Sequence, residues 1–354
     1  MSIDHQQAFG GTGAIRTGHD FDIPALDVWL TANVPGYAGP LSVQQFNGGQ
    51  SNPTYRLDTP GAHYVLRRKP PGPILPGAHA IEREHRVISA LHTAAFPVAR
   101  PYALCEDDRV IGTPFYVMAF VPGRIFWNST MPGLDPAERA AHFDAMNATI
   151  ARLHTLDIDA LGLSSYGKPG NYFERQLARW SRQYREDADA GCNEHLDRLI
   201  DWLGANLPPG DEATLVHGDL RGDNFMFDPA GPRVAAVLDW ELSTLGHPLG
   251  DFTYHLMMYR LPPDVLGGFA GADLVALGIP SESDYIAAYC RRTGRDHIDA
   301  LDFYLAFNMF RFAAILHGVK GRLIRGNAAS ATAQSLVETL PKLARIGWEQ
   351  TRGR

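Results

Sequence analysis

Between Leu41 and Val121 the chain alternates short apolar runs with glycine- and proline-bearing breaks, the pattern of strands joined by turns. Leu41-Ser42-Val43-Gln44-Gln45-Phe46 leads into the polar stretch Asn47 to Asn52, and Thr54-Tyr55-Arg56-Leu57 resumes a strand. Gly61 turns the chain into His63-Tyr64-Val65-Leu66-Arg67. A proline-rich loop, Pro70 to Pro76, follows. From Ala78 to Leu91 the period changes: Ile81, Val87, Ile88 and Leu91 recur near helical spacing. Phe115 to Val121 reads as another strand, stopped by Pro122-Gly123. Beyond Gly123 helices dominate. Asp135-Pro136-Ala137-Glu138 combines an N-cap Asp, a first-turn Pro and an acidic third position, and opens a helix to about Leu156. Others are predicted from Tyr172 to Arg185, from Glu194 to Leu203, and through most of 281–350.

A length of 354 residues suits two domains or one large bilobal one, and 45% hydrophobic residues suffice for a core. The expected division is a flexible, glycine-bearing tail (1–20), a sheet-rich part (21–121) and a mainly helical part (122–354). A net charge of -7 argues against a nucleic-acid carrier, which would show a basic footprint. Cys105, Cys192 and Cys290 form no CxxC pair, so neither a thiolate metal site nor a disulfide framework is expected, and a reducing, cytoplasmic setting is. No apolar run approaches the roughly 20 residues a membrane helix needs, and the N-terminus lacks a secretory apolar segment, so no membrane partner is expected.

The chemistry concentrates late in the middle of the chain. Two apolar strands, Leu215-Val216 and Val234 to Leu238, each run into polar residues. The first leads into His217-Gly218-Asp219-Leu220-Arg221-Gly222-Asp223-Asn224, in which Asp219 and Asn224 stand five apart. That is the spacing of a kinase catalytic loop, where an Asp accepts a hydroxyl proton and an Asn holds a metal ion. Asp239, 20 residues past Asp219 and beyond a turn at Asp228-Pro229-Ala230-Gly231, occupies the place of a Mg²⁺-binding Asp. Hard oxygen donors such as a carboxylate and an amide carbonyl suit Mg²⁺, while a further carboxylate must stay free to orient the attacking hydroxyl.

His-Gly-Asp-x-x-x-x-Asn, followed by Val237-Leu238-Asp239-Trp240-Glu241-Leu242-Ser243-Thr244-Leu245-Gly246-His247-Pro248-Leu249-Gly250-Asp251, resembles the aminoglycoside phosphotransferase-like family of the protein-kinase-like fold. The longer phrase is closer still to the kinase-like domains attached to acyl-CoA dehydrogenase family members ten and eleven. The resemblance covers about residues 25–350 and implies an α+β, bilobal fold with a small antiparallel-sheet N-lobe and a larger, mainly helical C-lobe. It further implies ATP and Mg²⁺, with Asp219 catalytic and Asn224 and Asp239 on the metal. Gly48-Gly49-Gln50-Ser51-Asn52 resembles the phosphate-covering loop, whose glycines let backbone N–H groups approach phosphate oxygens. Arg67 falls where kinases carry the phosphate-gripping lysine; Lys69, two residues on, could substitute. Glu84 matches the helix glutamate that pairs with that cation, Ala119 and Val121 match the adenine-binding hinge, Asp251 matches an aspartate bracing the catalytic loop, and His217 is expected to pack and position that loop.

Arg175, Arg179 and Arg182 recur at helical spacing, apart from the apolar face of Phe173, Leu177, Trp180 and Tyr184. That basic face suits an anionic acceptor and disfavours polycationic aminoglycosides. The leading expectation is a small-molecule kinase acting on a hydroxyl of a small acceptor, such as a hydroxy acid or hydroxyacyl compound. Two alternatives stand beside it: a nucleotide-binding pseudokinase or regulatory module, kept open by Arg67, and an aminoglycoside-type antibiotic phosphotransferase. No Asp-Phe-Gly or Ala-Pro-Glu marks a protein kinase.

Overall fold

The computed structural model describes residues 11–48, 52–72, 79–326 and 331–353. It resolves into two compact units: one of residues 1–127, 159–163 and 223–243, the other of 128–158, 164–222 and 244–354. The division therefore differs from a single boundary at 121/122, because the segment holding Asn224 and Asp239 packs with the sheet-rich unit.

In the first unit, six antiparallel strands run in the order Thr12–Gly13, Ser42–Phe46, Thr54–Asp58, His63–Arg68, Phe115–Ala119, Pro101–Cys105. Residues 12–13 are not part of a free tail. They pair with Phe46 and Gln45, and Arg16 N–H donates to the Gln45 side chain. One sheet face packs an apolar core: Tyr55, Leu57, Tyr64, Leu66, Phe115 and Val117 meet Leu26 and Leu30. The last two come from a helix, Ile23–Asn33, which the sequence pattern did not reveal; its Asp22 cap accepts from Ala25 N–H. A second helix, Ile81–Thr93, buries Ile81, Glu84, Val87, Ile88 and Leu91 on one stripe. A small sheet of Arg124–Ile125, Phe225–Phe227 and Val234–Val237 completes this unit.

The second unit is built on helices. Pro136–His154 opens with the full capping box of Asp135 and Glu138. Tyr172–Glu186, Glu194–Ala205 and the wholly buried helix Pro248–Leu256 each pack against the long, largely buried Leu301–Ile324. Strands Thr214–Val216 and Thr244–Gly246 pair antiparallel beside them. Gly246 and Gly250 are explained by close approach: a Cβ on Gly246 would lie 2.6 Å from the Tyr172 ring, and one on Gly250 3.0 Å from it. Among the described residues no helix is long and apolar enough to cross a membrane.

Candidate active site

In strand His63–Arg68 side chains alternate between faces, so Tyr64 and Leu66 enter the apolar core while Arg67 points the other way. There its Nε meets Glu84 Oε2 at 2.9 Å, and its Nη2 meets Asp239 Oδ1 at 2.7 Å and Glu241 Oε2 at 3.5 Å. Lys69 pairs instead with Glu82, at 3.0 Å. Three carboxylates thus share one buried guanidinium. Burial pushes the Glu84 carboxyl up to about 7, with Asp239 and Glu241 adding to the rise and Arg67 opposing it.

The hairpin register explains how Asn224 and Asp239 come to one end. Phe225 pairs with Val237, and Leu238 N–H donates to the Asn224 carbonyl at 2.9 Å, so the residues flanking this pairing are neighbours. Trp240 then anchors the turn. Its indole N–H donates to Val237 O at 2.9 Å, and its ring is buried edge-on to Phe96. Asp239 takes the left-handed conformation, φ 63°, which an Asp tolerates at a cost. Glu241, which the sequence analysis did not single out, joins this charge cluster. It accepts from Asn52 Nδ2 at 3.2 Å as well as from Arg67. Its signal was available: it flanks the buried Trp240 opposite Asp239, so a tight turn turns both acids toward one cation.

Gly48 lies just past strand Ser42–Phe46; Gly49, Gln50 and Ser51 lie outside the described residues. Asn52 is buried, and its Oδ1 is 3.0 Å from His79 Nδ1. At the expected hinge, Ala119 N–H donates to Arg100 O and Phe120 N–H to His63 O; neither bond uses the Ala119 carbonyl or the Val121 N–H.

Asp219 belongs to the second unit, where strand Thr214–Val216 ends. Asp251, at the start of helix Pro248–Leu256, accepts from His217 N–H at 2.5 Å and from Gly218 N–H at 2.8 Å. Burial would raise its carboxyl, yet His154, the nearby His217 and the Gly218 N–H hold it below the usual carboxylate range. His217 Nδ1 accepts from Asp219 N–H at 3.2 Å, which occupies that ring nitrogen as an acceptor. Arg221 Nε approaches Asp219 Oδ1 at 3.3 Å from the more exposed side.

A phosphotransferase enzyme family profile matches residues 42–304. The chain belongs to that family. This phosphotransferase-family chain is 46% identical over 313 residues to mouse acyl-CoA dehydrogenase family member 10, covering 88% of this chain and 29% of that protein. It is 41% identical over 340 residues to human acyl-CoA dehydrogenase family member 11, covering 94% and 44%. It therefore spans less than half the length of the curated relatives it matches. The crystal structure of a Ralstonia eutropha protein assigned by name to the aminoglycoside phosphotransferases superposes with TM-score 0.87 at 50% identity, covering 94% of this chain and 99% of that one. Aminoglycoside phosphotransferase APH(4)-Ia, crystallised with ADP and hygromycin B, shares the fold at TM-score 0.59 and 14% identity, covering 92% of this chain and 98% of its own. The α+β architecture, an antiparallel sheet in one unit and helices in the other, is the protein-kinase-like one.

The arginines of helix Tyr172–Glu186 do not form one uniform basic face. Arg175 Nη2 donates to Lys168 O at 2.7 Å, and Arg179 stacks over Trp180 with its guanidinium carbon 5.0 Å from the ring centre. Arg179 and Arg182 border a groove with Glu186, Asp187, Asp189 and Arg325, in which Arg325 pairs with both aspartates.

Proposed function

We propose that this chain transfers the γ-phosphoryl group of ATP to a hydroxyl of a small, anionic acceptor, of the hydroxy-acid or hydroxyacyl kind. The observation that carries the reading is the buried Arg67, tied at once to Glu84 on its helix and to Asp239 after the hairpin. Such an arrangement holds a cation rigidly where phosphate oxygens can be gripped, and Arg67 rather than Lys69 fills that role. Gly48, Asn52 and the backbone of Ala119 and Val121 join it as nucleotide contacts. An ADP complex of a neighbour with the same fold supports ATP as donor.

Asn224 and Asp239 would hold Mg²⁺, with Glu241 at hand. Mg²⁺ is typically bound by one or two carboxylates plus substrate phosphates, which this pair of oxygen donors suits. When bound, the ion neutralises phosphate charge that would repel an incoming oxygen. Asp219 accepts the proton as the acceptor oxygen bonds to the γ-phosphorus and the bond to the bridging oxygen breaks, releasing ADP. Asp251 and His217 keep the loop that presents Asp219 in register. Arg179 and Arg182, exposed beside one groove, attract the acceptor's anionic group.

The test is Mg²⁺-dependent thermal stabilisation by ATP, followed by ATP consumption with pooled hydroxy acids, hydroxyacyl-CoAs, amino alcohols, sugars and aminoglycosides. Turnover with an anionic pool supports the reading. Binding without turnover in any pool would reassign the chain as a regulatory nucleotide binder, and turnover confined to aminoglycosides would overturn the acceptor class.

A further inference from the structure

Helix Leu301–Ile324 contributes one buried cation to the second unit. Arg311 is 6% exposed, and among the described residues it forms no ion pair with a carboxylate. Its Nη2 donates to the Gly218 carbonyl, its guanidinium lies over the Tyr254 ring with 5.2 Å to the centroid, and its buried Nε has no hydrogen-bond acceptor. A buried charge is costly unless its contacts repay it. Here they converge on a single peptide. Gly218 adopts φ 86°, a conformation glycine alone takes readily. Its N–H is held by Asp251 and its carbonyl by Arg311, so opposite charges from two helices clamp it from both sides. That carbonyl belongs to the peptide leading into Asp219. Tyr254, three residues past Asp251, lies near enough to the Asp219 carboxylate to feel its charge. Burial raises that phenol far above its ordinary value, so it stays protonated at any working pH.

We propose that Arg311 is the positioning residue of Asp219, fixing its backbone through the Gly218 carbonyl and holding the Tyr254 ring near its carboxylate. The proposal rests on Asp219 being the base of the phosphoryl transfer proposed above. Arg311 touches neither substrate in this account; it sets the angle from which Asp219 meets the acceptor.

The experiment compares full-length wild type, Arg311→Met, Arg311→Lys and Tyr254→Phe. Hydrolysis of Mg·ATP, with water as the acceptor, gives kcat and KM. Hydrogen exchange of segment 215–222 gives a readout that needs no turnover. Expected for Arg311→Met is a roughly 100-fold lower kcat with KM for ATP within twofold, and faster exchange in 215–222 than in the rest of the second unit. Arg311→Lys should recover at least tenfold of the lost kcat, and Tyr254→Phe should lose roughly tenfold. Unchanged exchange in 215–222 for folded Arg311→Met overturns the proposal, as does a kcat within twofold of wild type or a Lys variant no better than Met. Absence of wild-type turnover both with water and with every acceptor pool would instead sink the phosphotransfer reading, while local loosening would still support the clamp.

Discussion

Glu84→Gln should make the protein more stable at pH 8, although it removes one member of a buried ion pair. Glu84 is pushed up to about 7, whereas an unfolded Glu titrates near 4.5. Between those values the native state holds a proton that the unfolded state has released, so stability falls as pH rises through the window and the loss is complete above pH 7. Two and a half pK units correspond to about 3 kcal/mol. Gln mimics the protonated acid in shape and charge, and Arg67 keeps Asp239 at 2.7 Å and Glu241 at 3.5 Å. The variant and wild type should therefore match within about 1 kcal/mol at pH 5. By pH 8 the variant should be ahead by about 3 kcal/mol, or about 4 °C in Tm for a chain of 354 residues. Urea and thermal denaturation of both proteins at pH 5, 6, 7 and 8 measure the difference. A variant several kcal/mol less stable at pH 8, or a gap that does not change with pH, would refute the reasoning: Arg67 would then outweigh burial and hold Glu84 ionised. The gain in stability should come with weaker ATP binding, since Arg67 loses the partner that aims it.

Asp219→Asn should abolish turnover while Mg·ATP still raises Tm, whereas Asp239→Ala should lose most of that rise; full activity in Asp219→Asn would remove the base assignment. His247 and His255 are buried and pushed down to about 4, chiefly by that burial. The unfolded chain gains their protons below about 6.5 while the native state refuses them, so each contributes stability that is lost as pH falls from 6.5 to 4, about 3 kcal/mol apiece. A His255→Gln variant should show a shallower acid decline than wild type in pH-dependent denaturation, and an equally steep one would contradict the assignment. At Gly123 a Cβ would run into the Met226 side chain and lie 2.8 Å from the Phe227 carbonyl, so Gly123→Ala should cost about 1–3 kcal/mol in urea denaturation; a neutral variant would show that this strand pair can shift.

Much of the strand and helix pattern was legible because it rests on local periodicity and punctuation. The Asp135 cap, the alternation from His63 to Arg67 and the turn after Phe227 need no distant partner to be read. Helix Ile23–Asn33 escaped because its apolar residues mean little until a sheet face exists to receive Leu26 and Leu30. Strand Thr12–Gly13, two residues long, owes its structure to the neighbouring edge at Ser42–Phe46. The choice between Glu82 and Glu84 was half visible, since Glu84 lies three residues after Ile81 and four before Ile88, on the buried stripe.

By itself the sequence determined the succession of sheet-rich and helical segments and the order of the acid and amide groups, since each of those is written in residue spacing over one turn or one hairpin. Which charges meet was decided only in three dimensions. Arg67, Glu84 and Asp239 are separated by up to 172 positions, and Arg311 reaches Gly218 across 93. No local pattern specifies such pairings; they follow from strand register and helix packing, which bring a buried cation next to whatever carbonyl or carboxylate can offset the cost of taking it out of water.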